Sequence, residues 1–177
     1  MRRKIYNKLK EWKQNNARKE ALLIDGARRV GKSYIVEEFA KNEYKSYILI
    51  NFGNMTKELR EIFDNYLNDL DSFFIRLSLW AGVKLYHHES LIIFDEVQLY
   101  PKAREAIKWL VADNRYDYIE TGSLISIRKN TNGILIPSEE SHIDMYPMDF
   151  EEFLWANGIT DAVINKLKEC LDARLPI

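Results

Sequence analysis

Cysteine is almost absent from this sequence, which has a single one, Cys170, among 177 residues. One cysteine cannot form an intramolecular disulfide, and such scarcity is typical of proteins in a reducing compartment. No apolar run approaches the length of about 18 residues that a membrane-spanning helix needs. No apolar segment follows the basic N-terminus in the manner of a secretory signal peptide. We therefore expect a soluble, cytoplasmic protein that makes no membrane contact.

A large net charge is also lacking, since 26 Lys and Arg residues oppose 27 Asp and Glu residues. This balance gives the whole molecule no strong attraction to nucleic acid or anionic lipid. Basic residues do dominate the start of the chain. We interpret them as the solvated face of an N-terminal helix, with a DNA-binding patch as the alternative. They are Arg2, Arg3, Lys4, Lys8, Lys10, Lys13, Arg18 and Lys19.

Zinc-ligand spacing is the third missing feature. His87 and His88 are adjacent, and His142 is remote from both in sequence. With one cysteine and no regular spacing of ligands, we do not expect a zinc site.

Hydrophobic periodicity predicts strands that alternate with helices, and hence an α/β fold with a mainly parallel sheet. One helical pattern, 58–81, fits either one long helix or two that meet near Asp71. Residues 127–141 are predicted to form a mobile loop. The strand candidates are 21–25, 45–52, 90–96, 116–123 and 142–148. The helix candidates are 2–14, 32–41, 58–81, a segment from Pro101, one from Asp149 to Gly158, and 160–174, with Val163, Leu167, Cys170 and Leu171 along one side.

The stretch LLIDGARRVGKSYIVEEF, from Leu22 to Phe39, contains the pattern Gly-x-x-x-x-Gly-Lys-Ser of a phosphate-binding P-loop. A buried strand precedes the pattern and a helix begins inside it, as this motif requires. Backbone N–H groups of such a loop converge on phosphate oxygens at a helix N-terminus. Lys32 would neutralise the phosphates, and the Ser33 hydroxyl would bind Mg²⁺. The residues assigned to nucleotide binding are Gly26, Ala27, Arg28, Arg29, Val30, Gly31, Lys32, Ser33 and Tyr34.

A second motif, LIIFDE, ends the most hydrophobic strand candidate in two acids, Asp95 and Glu96. A carboxylate at the end of a strand near the P-loop is suited to hold Mg²⁺, which we assign to Asp95. A second acid directly after it is placed to polarise an attacking water, so we assign Glu96 a catalytic role with Lys32. The alternative is that Glu96 is a surface acid at the end of a strand.

Three weaker candidates lie further along the chain or inside the P-loop. Thr121 and Ser123 end the fourth strand candidate, which in such sheets usually lies beside the P-loop strand. A hydroxyl there would sense the γ-phosphate or position the water, and we assign that role to Ser123. The alternative is a turn in which the serine caps the backbone. Arg28 and Arg29 occupy variable loop positions, which face solvent or a partner more often than phosphate, and are weak candidates for phosphate contact. Arg128 is a guess for a residue that acts on a neighbouring subunit's nucleotide.

Five segments occur in the order found in a known family: RKIYNKLKEWK, LLIDGARRVGKS, LIIFDEVQ, YIETGS and MYPMDFEEFLW. The sequence thereby resembles the predicted bacterial and archaeal ATP-binding proteins of the AAA superfamily. The resemblance implies a three-layer P-loop NTPase fold with a central five-stranded sheet, and it supports the roles given above to Lys32, Ser33, Asp95, Glu96 and Ser123. Family members usually continue into a C-terminal domain that is absent here. We therefore expect an N-terminal helix and linker (1–20), an ATPase core (21–158), and the start of a truncated helical or lid region (159–177).

The function that follows is an ATP-binding, Mg²⁺-dependent module that hydrolyses ATP as a switch, with ATP and ADP as its ligands. One alternative is a nucleotide-gated module that binds DNA or protein without turnover. Another is a small-molecule kinase, which Glu96 argues against because an acid that activates water would waste ATP. Self-association, or contact with the absent C-terminal domain, is also expected. No Asn-Lys-x-Asp guanine signature is present, and for this reason ATP is preferred to GTP.

Overall fold

A computed structural model describes residues 2–123 and 140–173, which form five strands and seven helices. Strands and helices alternate along most of the chain, as the sequence predicts. Two short 3₁₀ turns, Phe52–Asn54 and Val97–Leu99, follow the second and third strands. The strands are β1 (Ala21–Gly26), β2 (Ser46–Asn51), β3 (Ser90–Asp95), β4 (Asp117–Gly122) and β5 (Glu140–Met145). The helices are α1 (Ile5–Asn15), α2 (Lys32–Glu43), α3 (Lys57–Tyr66), α4 (Leu70–Ala81), α5 (Pro101–Asp113), α6 (Phe150–Ala156) and α7 (Asp161–Asp172).

The five strands form one parallel sheet in the order β2-β3-β4-β1-β5. β1 pairs with β4, where Leu22 lies opposite Ile119, and with β5, where Asp25 lies opposite Asp144. β1, β3 and β4 are buried almost throughout. Residues 21–24 of β1 and 91–94 of β3 are accordingly continuous apolar runs, whereas β4 buries the polar side chains of Asp117, Glu120 and Thr121. The prediction that the fourth strand lies beside the P-loop strand is confirmed. All carboxyl ends of the strands therefore meet at one edge of the sheet.

Helices cover both faces of the sheet and give three layers. Successive residues of β1 point to opposite faces, so Leu22 and Ile24 join one core while Leu23 joins the other. The core that contains Ile24 also holds the buried faces of α1 and α2, including Trp12 and Phe39. The core on the opposite face is built from α3, α4 and α5. None of the helices in the described ranges combines the length and apolar character that a bilayer-spanning segment needs.

The pattern 58–81 forms two helices, which settles the alternative that the sequence leaves open. Residues 67–69 separate α3 from α4, slightly before the predicted junction at Asp71. The Asp69 side chain accepts the Ser72 N–H at 3.3 Å and the Ser72 hydroxyl at 2.6 Å. This cap starts α4 because it satisfies a backbone donor that the new helix leaves without a partner.

Three boundaries differ from the predictions. β5 spans Glu140–Met145 instead of 142–148, because the chain turns away at Tyr146 and the helix cap at Asp149 follows closely. Glu140 and Ser141, which were predicted to belong to the loop 127–141, lie in β5, and residues 127–139 lie outside the described ranges. The predicted N-terminal helix begins at Ile5, so Arg2, Arg3 and Lys4 precede it.

The final helix, α7, packs through a different residue from those expected. Ile164 is its one buried residue, whereas Val163 and Leu171 are 49% and 62% exposed. Three or four residues separate neighbours on a helical face, so a face centred on Ile164 leaves Val163 turned toward solvent.

Candidate functional site

The glycine-rich loop leaves the carboxyl end of β1 and enters α2 through two left-handed residues. Arg29 has φ of 64° and Gly31 has φ of 95°. Gly31 occupies the N-cap position of α2, and no side chain caps the helix there. The first N–H groups of this 12-residue helix are therefore directed out of its N-terminus without a side-chain acceptor. Such a terminus is suited to receive an anion.

Two glycines of the loop lie against neighbouring elements. A Cβ atom added to Gly26 would be 2.1 Å from the backbone oxygen of Met145 in β5. One added to Gly31 would meet the Met145 Cε at 3.8 Å and an Arg3 Nη1 at 3.9 Å. The first contact is far shorter than real carbon–oxygen contacts, so β5 can approach the loop this closely only because residue 26 is glycine.

Lys32, the first residue of α2, is buried with its ammonium turned back to the loop. Its Nζ donates to the carbonyl oxygens of Gly26 at 3.1 Å and Ala27 at 2.8 Å. Burial lowers the pKa of the Lys32 ammonium, while the carboxylates of Glu96, Asp95 and Asp25 act in the opposite direction. An anion bound at the loop would also favour the charged form. Anion binding and the protonation of Lys32 are therefore coupled.

Asp95 is the centre of a hydrogen-bond network that joins four elements. Its Oδ1 accepts the Ser33 hydroxyl of α2 at 2.7 Å and also the Thr121 hydroxyl of β4. Its Oδ2 accepts the Asn51 Nδ2 at the end of β2 at 2.9 Å. The carboxyl group is 3% exposed. Strand β4 lies between β1 and β3, and the contact between Ser33 and Asp95 thus bridges the end of β4.

Glu96 follows directly after β3 and has left-handed backbone angles, φ 57° and ψ 43°. The turn directs its side chain away from the strand, where the Gln98 amide donates to Oε2. Glu96 is partly exposed, in contrast to the buried Asp95. Ser123 is buried immediately after β4. The sequence-predicted residues Lys32, Ser33, Asp95 and Glu96, together with Ser123, thus lie at one edge of the sheet.

The remaining predicted loop residues face a cavity of about 700 Å³ beside the loop. Arg28 and Arg29 are exposed, as is half of the Tyr34 side chain. Residues from outside the loop complete the lining. Arg3, Pro147 and Met148 lie outside the loop, and the loop itself contributes Ala27 and Val30 to the lining. Arg128, the suggested trans-acting arginine, lies outside the described residues.

Two parts of the arrangement are absent from the sequence-based predictions. Asn51 reaches Asp95 because β2 and β3 are paired in register, with Asn51 opposite Asp95. The sequence did contain a sign of this contact, since Asn51 is a polar residue at the end of an otherwise largely apolar strand.

The second unpredicted part is His142 of β5, whose Nε2 lies 2.9 Å from Asp25 Oδ2 and 3.8 Å from Asp144 Oδ1. Burial raises the pKa of Asp25, and the contact with His142 opposes that shift.

Comparison with known protein families adds one finding. A family model described as an AAA domain matches residues 18–154. The matched range covers most of the chain and contains all five strands, the glycine-rich loop, Asp95 and Glu96. A search of curated proteins finds none that matches the chain.

Proposed function

The chain belongs to the AAA-domain family, and from this premise we propose that it binds ATP with Mg²⁺ and hydrolyses it as a nucleotide-controlled switch. The core of this module would be residues 21–158, with 1–20 and 159–177 as flanking segments. The single observation that carries the proposal is the contact of the Ser33 hydroxyl with Asp95 directly below the N-terminus of α2.

The residues around Asp95 fit a magnesium ion. Ser33 and Asp95 offer hard oxygen ligands, which Mg²⁺ prefers. Among the described residues, three donate hydrogen bonds to Asp95, and all three donors are neutral side chains, those of Ser33, Thr121 and Asn51. These hydrogen bonds to Asp95 come from uncharged groups and not from a lysine or arginine. The carboxylate is thus available to bind a cation, and a bound Mg²⁺ would supply charge neutralisation for the phosphates.

The chain's own residues account for the remaining steps. The N-terminus of α2 and the loop N–H groups bind the β- and γ-phosphates, and Lys32 leaves the carbonyls of Gly26 and Ala27 to contact them. Glu96 accepts a proton from water as that water attacks the γ-phosphorus, and the bond to the β–γ bridging oxygen breaks to leave ADP and inorganic phosphate. Ser123, immediately after β4, orients the water or senses the γ-phosphate.

The basic N-terminus does not favour the DNA-binding alternative, because several of its charges are used within the chain. Arg2 pairs with Asp161 at 2.7 Å, and Lys4 with Asp149 at 2.7 Å. Lys13 donates to the carbonyl oxygen of Glu43. The non-hydrolysing, nucleotide-gated alternative differs from the proposal in the role of Glu96 alone, and one experiment separates the two.

That experiment combines calorimetric titration of ATP and GTP in the presence of Mg²⁺ with phosphate release. Lys32→Ala should abolish ATP binding, whereas Lys41→Ala, an exposed lysine on the same helix, should bind as the wild type does. Glu96→Gln should bind ATP but release phosphate about 10²–10⁴ times more slowly, the usual contribution of a general base. The exposed Glu105→Gln variant is its control.

Each outcome has a distinct meaning. A wild-type protein that binds no ATP refutes the proposal. Binding without phosphate release supports the gated alternative instead. Equal phosphate release by the wild type and Glu96→Gln would leave ATP binding in place and remove Glu96 from the mechanism.

A further inference from the structure

Arg3 is a buried arginine that links three distant parts of the chain. It precedes α1 and is 6% exposed. Its Nη1 donates to the Val30 carbonyl of the glycine-rich loop at 3.1 Å, and its Nη2 donates to the Tyr146 carbonyl after β5 at 2.8 Å. Its Nε lies 3.2 Å from Glu152 Oε1 in α6. One guanidinium group therefore connects the loop, the exit from β5 and the first turn of α6.

Glu152 is itself held by hydrogen bonds, so Arg3 and Glu152 form a rigid connection between the loop, β5 and α6, which we call the brace. Its Oε2 accepts the Asp149 N–H at 3.2 Å, and its own N–H donates to Asp149 Oδ1 at 2.8 Å, a capping box at the start of α6. Its Oε1 also accepts the Lys4 N–H at 2.6 Å. A buried guanidinium needs such a fixed counter-charge, because an unpaired charge in the interior is strongly unfavourable. The planar fork of arginine then holds several acceptors in one geometry.

The contact with Val30 has a direct effect on the loop. Val30 lies between Arg29 and Gly31, both of which have left-handed φ. In a planar trans peptide the C=O and the following N–H point in opposite directions. Holding the Val30 oxygen toward Arg3 therefore turns the Gly31 N–H to the opposite side of that peptide plane. The conformation of this glycine-flanked peptide would otherwise be weakly determined, since glycine adopts many backbone angles.

We propose that Arg3 is a positioning residue for nucleotide binding, which orders the glycine-rich loop by holding the Val30 carbonyl against the β5 exit and α6. The inference rests on the proposed function for its effect on ATP affinity. Arg3 acts through the loop, not through contact with phosphate. An ordered loop binds phosphate more tightly because less conformational entropy is lost on binding.

The adjacent Arg2 supplies a matched control. Its side chain is 59% exposed, pairs with Asp161 and lies over the Trp155 ring at 3.9 Å. Arg2→Gln and Arg3→Gln remove the same charge from neighbouring positions, but only the second breaks the brace. Arg3→Lys keeps the positive charge but loses the planar guanidinium group that holds several acceptors at once. Ile62→Val, in the core on the opposite face of the sheet, controls for a general loss of stability.

The test has two readouts on the full chain. In nucleotide-free protein, amide hydrogen exchange in a peptide covering residues 26–33 should be at least about tenfold faster in Arg3→Gln, since the loop loses its brace. ATP affinity should fall by about tenfold or more, with Arg3→Lys between Arg3→Gln and the wild type. KM should rise while kcat changes little, because the loss is one of binding. Arg2→Gln and Ile62→Val should leave loop exchange and affinity unchanged.

The outcomes distinguish this inference from the proposed function. If Arg3→Gln matches Arg2→Gln in loop exchange and ATP affinity while Lys32→Ala abolishes binding, the brace is refuted and the nucleotide site stands. If the wild type binds no ATP, the proposed function and the effect on affinity both fail. The exchange measurement then still decides whether Arg3 orders the loop.

Discussion

Replacing Gly26 with alanine tests the closest approach in the site. Gly26 ends β1, has φ of 152° and lies against β5, where an added Cβ would be 2.1 Å from the Met145 oxygen. That oxygen belongs to the backbone of a hydrogen-bonded strand, so no side-chain rotation relieves the contact. The carbonyl would have to retreat by about 1 Å before the contact approached an ordinary one.

The expected cost has two sources. Overpacking of a tight site costs about 1–3 kcal/mol. The backbone angle adds a further amount of about 1–2 kcal/mol, because a side chain is strained at positive φ. We therefore expect Gly26→Ala to lower the free energy of unfolding by about 2–5 kcal/mol. In a domain of this size that corresponds to a Tm lower by roughly 5–20 °C.

Gly82→Ala is the matched control, and thermal and urea unfolding are the assays. Gly82 also has positive φ, 62°, but nothing lies within 4 Å of an added Cβ. Gly82→Ala should therefore lower the free energy of unfolding by about 1–2 kcal/mol, from backbone strain alone and without a steric clash. ATP titration should show weaker binding for Gly26→Ala alone, since movement of β5 displaces the loop. Equal destabilisation by the two variants would refute the close-packing argument.

Two further predictions concern buried polar groups. Burial, aided by Glu140, raises the pKa of Glu120 well above its ordinary value of 4.5, and Arg104 opposes the shift. The folded chain keeps a proton that the unfolded chain releases, so the free energy of unfolding should fall as pH rises above about 4.5. Glu120→Gln should flatten that dependence in urea titrations from about pH 4 to pH 8, and parallel curves for the two proteins would contradict the assignment. Thr121→Val removes a donor to Asp95 at nearly constant volume and should cost about 1–3 kcal/mol. Thr121→Ser should retain most of that stability, and if it is no more stable than Thr121→Val the hydrogen bond contributes nothing.

The parts of the site encoded in short, continuous segments could be predicted from the sequence. The loop from Gly26 to Ser33 carries its own glycines, lysine and hydroxyl, and the strand before it is apolar up to Asp25. β3 is likewise apolar and ends in Asp95. Since parallel strands bring their carboxyl ends to one edge, their alternation with helices was enough to place these segments together.

The parts that depend on contacts between distant segments could not be predicted. Arg3 had the pattern of a solvated basic residue, but its buried position depends on Val30, Tyr146 and Glu152, which are distant from it in sequence. His142 was isolated in sequence, and the register of β5 against β1 brings it to Asp25. The start of α4 was left open because periodicity continues across the junction, whereas the Asp69 side chain decides where the helix begins.

The sheet order also constrains the synthesis of this chain. β1 ends at Gly26, whereas its two neighbours begin only at Asp117 and Glu140, and Arg3 has partners at Tyr146 and Glu152. At about 5–20 residues per second, β1 leaves the ribosome roughly 5–20 seconds before either neighbour is available. During that interval an apolar strand with two unpaired edges is open to association with other chains. The glycine-rich loop is thus translated well before the segments that form its final surroundings.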